Sequence, residues 1–210
     1  MVRQKLWIRF RKTGDLRLIS HRDLARAFER LLRRAELPLA MSQGFHPHAR
    51  INFPSALALG IQGDDEVVEV ALDEAVDEQA ARARLVEQSP QGLEIVCVQA
   101  FDATYPKPQV RRMTYQIEIP EQRRAAVQQA IDRLLSGGEH TCWRDDCAQP
   151  FDLHASLDHL QWAAGRLAFS LRATGQAQAR PRDVLAALGL ADLEDEGMWL
   201  IRTEVQLAEH

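Results

Sequence analysis

The residues best suited to act on a charged ligand gather near the start of the chain. His46 and His48 flank Pro47 in Gly44-Phe45-His46-Pro47-His48-Ala49-Arg50, and His21 stands earlier, between Ser20 and Arg22. Imidazole titrates near neutrality, so His21, His46 and His48 suit acid–base work on an RNA 2′-hydroxyl. The same loop suits binding without chemistry. Gly44 tolerates a positive φ and lets backbone approach a ligand, Phe45 offers a face for stacking, and Arg50 a guanidinium for phosphate. A phosphate-binding or purely structural loop is the plainer reading of the two.

A second group is cationic. Arg22, Arg26, Arg30, Arg33 and Arg34 recur at helical spacing opposite an apolar stripe, where planar guanidinium groups could neutralise several phosphates. The bland alternative is a solvated face with Glu29 and Arg33 pairing at i,i+4. Trp7 sits among Lys5, Arg9 and Arg11 on one side of an alternating segment. An aromatic among cations on an open sheet can stack a base while holding backbone phosphate. The competing expectation buries Trp7 between two lobes and pairs Arg9 with Glu69. A third set, His140, Cys142, Cys147 and His154, has metal-ligand chemistry but not the spacing of a standard zinc finger. Ordinary loop residues are the simpler account, and no metal is expected. The chain carries no phosphate-binding P-loop, dinucleotide glycine fingerprint or GxSxG elbow, so no cofactor is expected either.

The elements that must position these groups follow from periodicity. Leu6, Ile8 and Phe10 alternate with the charged side of a first strand, and Thr13-Gly14-Asp15 is turn material. Ser20 with Asp23 three positions on suits a helix start, and Leu24, Ala27, Phe28, Leu31 and Ala35 continue it to about residue 36, before Pro38. Strands are expected near 50–54, 66–73 and 93–101, with a helix over 77–88. The order is βαββαβ. After the connector Tyr105-Pro106-Lys107-Pro108 the pattern restarts. A strand is expected over 113–119, a helix over 121–135, and one extended segment over 151–162. A strand then follows the Ala164-Gly165 turn, with a short helix over 182–188 and a closing strand over 198–207. The expected fold is therefore α+β. It would comprise two tandem ferredoxin-like lobes, residues 1–103 and 104–210, with antiparallel sheets and helices on one face. They would form a cleft, with the basic helix and the Gly44–Arg50 loop along one wall.

Composition narrows the function classes. Residues 1–55 hold 12 Arg or Lys against 4 Asp or Glu, whereas residues 56–210 hold 14 against 26, within a net charge of −4. That asymmetry favours a polyanionic partner for the opening segment. The three cysteines, Cys97, Cys142 and Cys147, are too few for a disulfide scaffold. No apolar run has the length of a membrane helix, and no apolar h-region follows Met1, so a cytoplasmic location without membrane contact is expected.

Residues 12–24, Lys-Thr-Gly-Asp-Leu-Arg-Leu-Ile-Ser-His-Arg-Asp-Leu, are followed closely by Ala35-Glu36-Leu37-Pro38-Leu39-Ala40 and Ser42-Gln43-Gly44-Phe45-His46-Pro47-His48. Together they resemble the radical SAM-linked protein family, a domain commonly fused to, or encoded beside, a radical SAM protein. The likeness is strongest over residues 5–62 and continues through Ala179-Arg180-Pro181-Arg182 and Ile201-Arg202. It implies a radical SAM protein as partner. This chain is not itself that enzyme, because only Cys142 and Cys147 lie close together and the CxxxCxxC pattern is missing. Three functions stay open. One is a non-catalytic RNA-binding accessory that presents substrate to the radical SAM partner. The second is a metal-independent endoribonuclease using the histidines, similar in outline to CRISPR repeat-processing endoribonucleases. The third is a protein-interaction adaptor for the radical enzyme.

Overall fold

The computed structural model describes residues 1–137, 140–143, 150–173 and 179–209. The chain divides into two compact units, Met1–Gln109 with Ala208–His210, and Val110–Leu207. Both mix helix with antiparallel strand, an α+β arrangement. Residues 104–109 go with the first unit because Tyr105 stacks on Phe101 at 4.3 Å and meets Trp7 edge-on at 5.4 Å.

The first unit runs β1 (Gln4–Lys12), α1 (His21–Arg34), β2 (Ile51–Asn52), β3 (Gln62–Leu72), α2 (Glu78–Gln88) and β4 (Leu93–Asp102). β1 pairs with β3 and β4, and β2 pairs with β3, all antiparallel, giving the spatial order β4-β1-β3-β2. Alternation along β1 sends Leu6, Ile8 and Phe10 into a core shared with Val68, Val70 and Leu72 of β3. Leu24, Phe28, Leu31 and Leu32 of α1 close that core, with Ala81 and Leu85 of α2. Both helices therefore cover the same face of the sheet. Ser20 caps α1, its Oγ accepting from the Asp23 amide at 3.1 Å while donating to the Asp23 carboxylate at 2.7 Å. The helix ends where Glu36 turns left-handed at φ 51°.

β3 begins four residues earlier than its apolar alternation suggests. Glu66 is only 3% exposed, and its side chain folds across Gly63, where a Cβ would come within 2.5 Å of it. A larger residue at Gly63 would have to displace the Glu66 side chain.

The second unit runs β5 (Val110–Glu118), α3 (Arg124–Ser136), β6 (Thr141–Cys142), β7 (Phe151–Asp152), α4 (Leu153–Ser156), β8 (Leu157–Ala163), β9 (Arg166–Arg172), α5 (Pro181–Ala187) and β10 (Ile201–Leu207). β5 pairs with β9 and β10, and β8 with β9, giving the order β10-β5-β9-β8. Tyr115, Ile117, Leu167, Phe169 and Leu171 are buried from the strands, as are Val127, Ile131 and Leu134 from α3. Ala164 and Gly165 both hold positive φ, the geometry of a tight hairpin turn. The single extended segment expected over 151–162 is instead broken in two. The Asp152 carboxylate accepts from the amides of His154 and His140 at 3.0 and 3.1 Å, which closes the turn of α4 and leaves β7 paired with β6. Among the described residues, no helix is long and apolar enough to cross a membrane.

Candidate nucleic-acid interface

The face of the first sheet turned away from the helices carries the other half of the β1 alternation: Lys5, Trp7, Arg9 and Arg11. Trp7 is 7% exposed. Its ring lies against Phe101 at 4.5 Å and Tyr105, and its Nε1 donates to Glu69 at 3.2 Å. An indole held this way supports the sheet and presents no open face to a base. Arg9 donates to Asp65 at 2.6 Å and Arg11 to Glu94 at 3.2 Å. Glu69 thus engages Trp7, which stands opposite it in the β1–β3 ladder.

Beside Trp7 the same face opens into a cavity of about 620 Å³ whose walls include Lys5, His48, Arg50, Asn52, Glu69 and Lys107. Backbone pairing builds it. Ala40 and Arg50 flank Ala71 through hydrogen bonds of 2.9 and 3.0 Å, and Arg50 donates back to Ala40 at 3.0 Å. Asn52 stands opposite Glu69 in the β2–β3 ladder. Lys5 stands opposite Ala71 and donates to the Tyr105 carbonyl, bringing the connector that carries Lys107 over the strands. Glu69 is the one carboxylate among the described lining residues. With three cations around it, the cavity is electropositive.

Residues 42–48 form a loop closed at its base. Ser42 donates its amide to the His48 carbonyl at 2.8 Å, and the Ser42 Oγ accepts the His48 amide at 3.1 Å and lies 2.9 Å from His48 Nδ1. Gly44 takes φ 125°, a conformation that side chains resist. At the tip Phe45 is 99% exposed, with His46 exposed beside it. Arg50 is exposed and has no carboxylate partner among the described residues.

The α1 arginines lie elsewhere. Because Leu24, Phe28 and Leu31 pack on the Leu6–Ile8–Phe10 side, the outer surface of α1 is separated from the cavity by the sheet itself. The helix and the loop do not share one wall. On α1, Arg26 pairs with Asp23 at 3.4 Å and Arg33 with Glu29 at 2.8 Å, whereas Arg30 is exposed without a carboxylate partner among the described residues and Arg22, also exposed, acts on the Asp23 carboxylate at longer range. The Ser20 hydroxyl, aided by Arg26 and Arg22, holds the Asp23 carboxyl below the usual range. Arg34 donates to the Gln88 carbonyl at 2.9 Å, tying α1 to α2.

The histidines are not gathered into one cluster. His21 sits edge-on to Phe53 at 5.1 Å, beside the core, with Nδ1 shielded and unpartnered, while His48 faces the cavity. No hydrogen bond or ring contact joins His21 to His46 or His48 among the described residues. Of the candidate metal set, His140 and His154 have rings 6.5 Å apart, and His154 Nε2 lies 2.6 Å from the Leu134 carbonyl oxygen. Cys142 lies in β6, and Cys147 lies outside the described residues. Among the described residues no group of three or more His, Cys, Asp or Glu is arranged to hold a metal ion.

A family described as "Uncharacterized protein conserved in bacteria (DUF2344)" matches residues 5–181. The chain belongs to that family. In this DUF2344 member the matched span runs from β1 to the first residue of α5, taking in the loop, α1 and all of the cavity lining except Met1 and Val2. No curated protein matches the chain. Two solved structures are similar at low identity. One is an unknown protein from Galdieria sulphuraria, 12% identical with a TM-score of 0.29 over the whole of both chains. The other is a microcompartments protein from Desulfitobacterium hafniense DCB, 9% identical with a TM-score of 0.22 over 96% of each chain.

Sequence reasoning passed over Lys107 and Asn52. Lys107 was hidden in a segment whose two prolines read only as a connector. The available signal was Tyr105, an aromatic with no place in a linker unless it packs against something.

Proposed function

We propose that this protein is a non-catalytic, cytoplasmic RNA-binding accessory that presents its RNA to a separate radical SAM protein, with each unit a variant ferredoxin-like lobe. The observation that carries the RNA reading is the electropositive cavity on the open sheet face, beside a loop that holds Phe45 fully in solvent. Single-stranded RNA is recognised by stacking splayed bases on aromatic rings while cations hold the backbone. Lys5, Arg50 and Lys107 supply the cations and Phe45 the ring, with His46 and His48 beside them. Arg22 and Arg30, across the sheet, serve phosphates of a longer strand. His48 anchors the loop through Ser42 and His21 packs against Phe53, so both have structural work that favours binding over cleavage. The strand orders β4-β1-β3-β2 and β10-β5-β9-β8 support the ferredoxin-like reading. The radical SAM partnership rests on the likeness of residues 12–24 and 35–48.

Anisotropy titration of a labelled single-stranded oligoribonucleotide against the full chain tests the binding. Three backbone contacts give a slope of log affinity against log salt of about −2. A flat salt response, or no binding at low salt, would overturn the RNA reading. Recovery of the tagged chain from its native cell, before and after RNase treatment, tests the partner. A radical SAM protein retained only while RNA is intact fits substrate presentation, whereas retention without RNA favours the adaptor.

A further inference from the structure

The second unit, acidic in composition, carries a cluster of three arginines that the charge balance of the sequence conceals. On the sheet face opposite Tyr115 and Phe169, Arg112 of β5 stands across from Arg172 of β9 and, on its other side, from Gln206 of β10. Like charges directly opposite one another in a sheet repel. Asp158 of β8 holds this pair together. Arg112 Nη1 donates to its Oδ2 at 3.1 Å, and Arg172 Nε to its Oδ1 at 2.8 Å. Those bonds, Arg172's first, keep the Asp158 carboxyl well below the usual carboxylate range, so it stays charged.

One carboxylate between two guanidinium groups leaves a positive charge over. Arg111 adds another, since it is exposed with no carboxylate partner among the described residues. Arg112 Nε is shielded from solvent and has no acceptor among the described residues, so this guanidinium is incompletely satisfied there. Arg111, Arg112, Asp158, Arg172 and Gln206 surround a cavity of about 300 Å³. The arrangement is a preassembled fork. Asp158 fixes two guanidinium planes without using all their donors, and Arg111 and the Gln206 amide supply more. Planar guanidinium groups donate paired hydrogen bonds to oxyanions, and the tetrahedral oxygens of a phosphate group suit the excess positive charge. The geometry points to a phosphate-binding site at Arg111, Arg112 and Arg172, independent of the cavity in the first unit. The phosphate comes either from a small phosphomonoester or from an RNA backbone.

The test follows the side-chain Nε–H NMR signals of Arg111, Arg112 and Arg172 in the full chain, which report on this site alone. Inorganic phosphate is added at constant ionic strength. The signals move saturably with phosphate but not with chloride, and Arg111→Ala weakens that response at least fivefold with the melting temperature unchanged. Arg172→Lys keeps the charge but loses the fork, and weakens it similarly. A second arm adds an oligoribonucleotide without terminal phosphates. Movement there identifies a backbone phosphodiester as occupant, and movement with inorganic phosphate alone identifies a phosphomonoester. Signals that stay still with both ligands, or that shift equally with chloride, would overturn the site. Either result leaves the RNA titration of the first unit to stand or fall by itself.

Discussion

The two units share a spatial strand order but differ in which of their arginines are left unmatched. In the second unit most of the described guanidinium groups are tied down. Arg123 reaches both Asp192 and Glu196, Arg182 pairs with Glu194 at 2.6 Å, Arg166 with Glu118 at 3.2 Å, and Asp158 clamps Arg112 and Arg172. In the first unit Arg30 and Arg50 are exposed with no carboxylate partner among the described residues, and Arg22 is exposed with only the shared Asp23 near it. The number of cations in a segment therefore says less about ligand binding than the number left unmatched. In the second unit that criterion leaves Arg111 and Arg133 among the described residues, and it is Arg111, beside the clamp on Asp158, that turns a structural clamp into a candidate site.

The largest effect that could break this contrast lies at Trp7. If its ring were a stacking platform, Trp7→Ala would weaken RNA binding and leave stability intact. Buried against Phe101 and Tyr105, it should instead cost about 3–5 kcal/mol of unfolding free energy in urea denaturation. Next comes Arg50→Ala with Lys107→Ala. Removing two charged contacts should cost about 2 kcal/mol, or roughly thirtyfold in RNA affinity by anisotropy, with the melting temperature unchanged. Phe45→Ala should lower RNA affinity by about 1–2 kcal/mol, again without a change in stability. Ser20→Ala removes the α1 cap and should destabilise the chain by about 1 kcal/mol, leaving RNA affinity nearly intact.

The smallest effect concerns acid. Asp192 is held below its ordinary value of 3.8, chiefly by the hydrogen bond from Arg123. A carboxyl depressed in the folded state stabilises above the unfolded value, and that contribution disappears as pH falls through the folded one, because the unfolded chain binds the proton first. Asp192→Asn should therefore lower the melting temperature slightly at neutral pH and flatten its fall below about pH 4. The effect is small because the pair is exposed to solvent.

Much of the fold was legible where the two faces of an element differ in chemistry. Leu6, Ile8 and Phe10 against Lys5, Trp7 and Arg9 mark β1 without ambiguity, and Ser20 with Asp23 marks the start of α1. The break at residues 151–157 was not legible, because Phe-Asp-Leu-His-Ala-Ser-Leu alternates like a strand and only the two amides on Asp152 turn it into β7, α4 and β8. In the candidate site, Arg50, His48 and Phe45 were legible from the types crowded into one short loop. The cover over Trp7 was not, since Phe101 and Tyr105 come from the far end of β4 and from a segment that looks like a linker. Nor could spacing alone place α1 and the loop on opposite sides of the sheet. That separation follows from which side of β1 the apolar stripe of α1 packs against.

In the proposed function, RNA enters the open sheet face of the first unit. Ultraviolet cross-linking of bound oligoribonucleotide to the full chain, with the modified peptides located by mass spectrometry, addresses it most directly. Adducts should fall on residues 42–50, with Phe45 foremost, and disappear in Arg50→Ala with Lys107→Ala. Cross-links confined to α1 or to the second unit, and indifferent to that double substitution, would contradict the account.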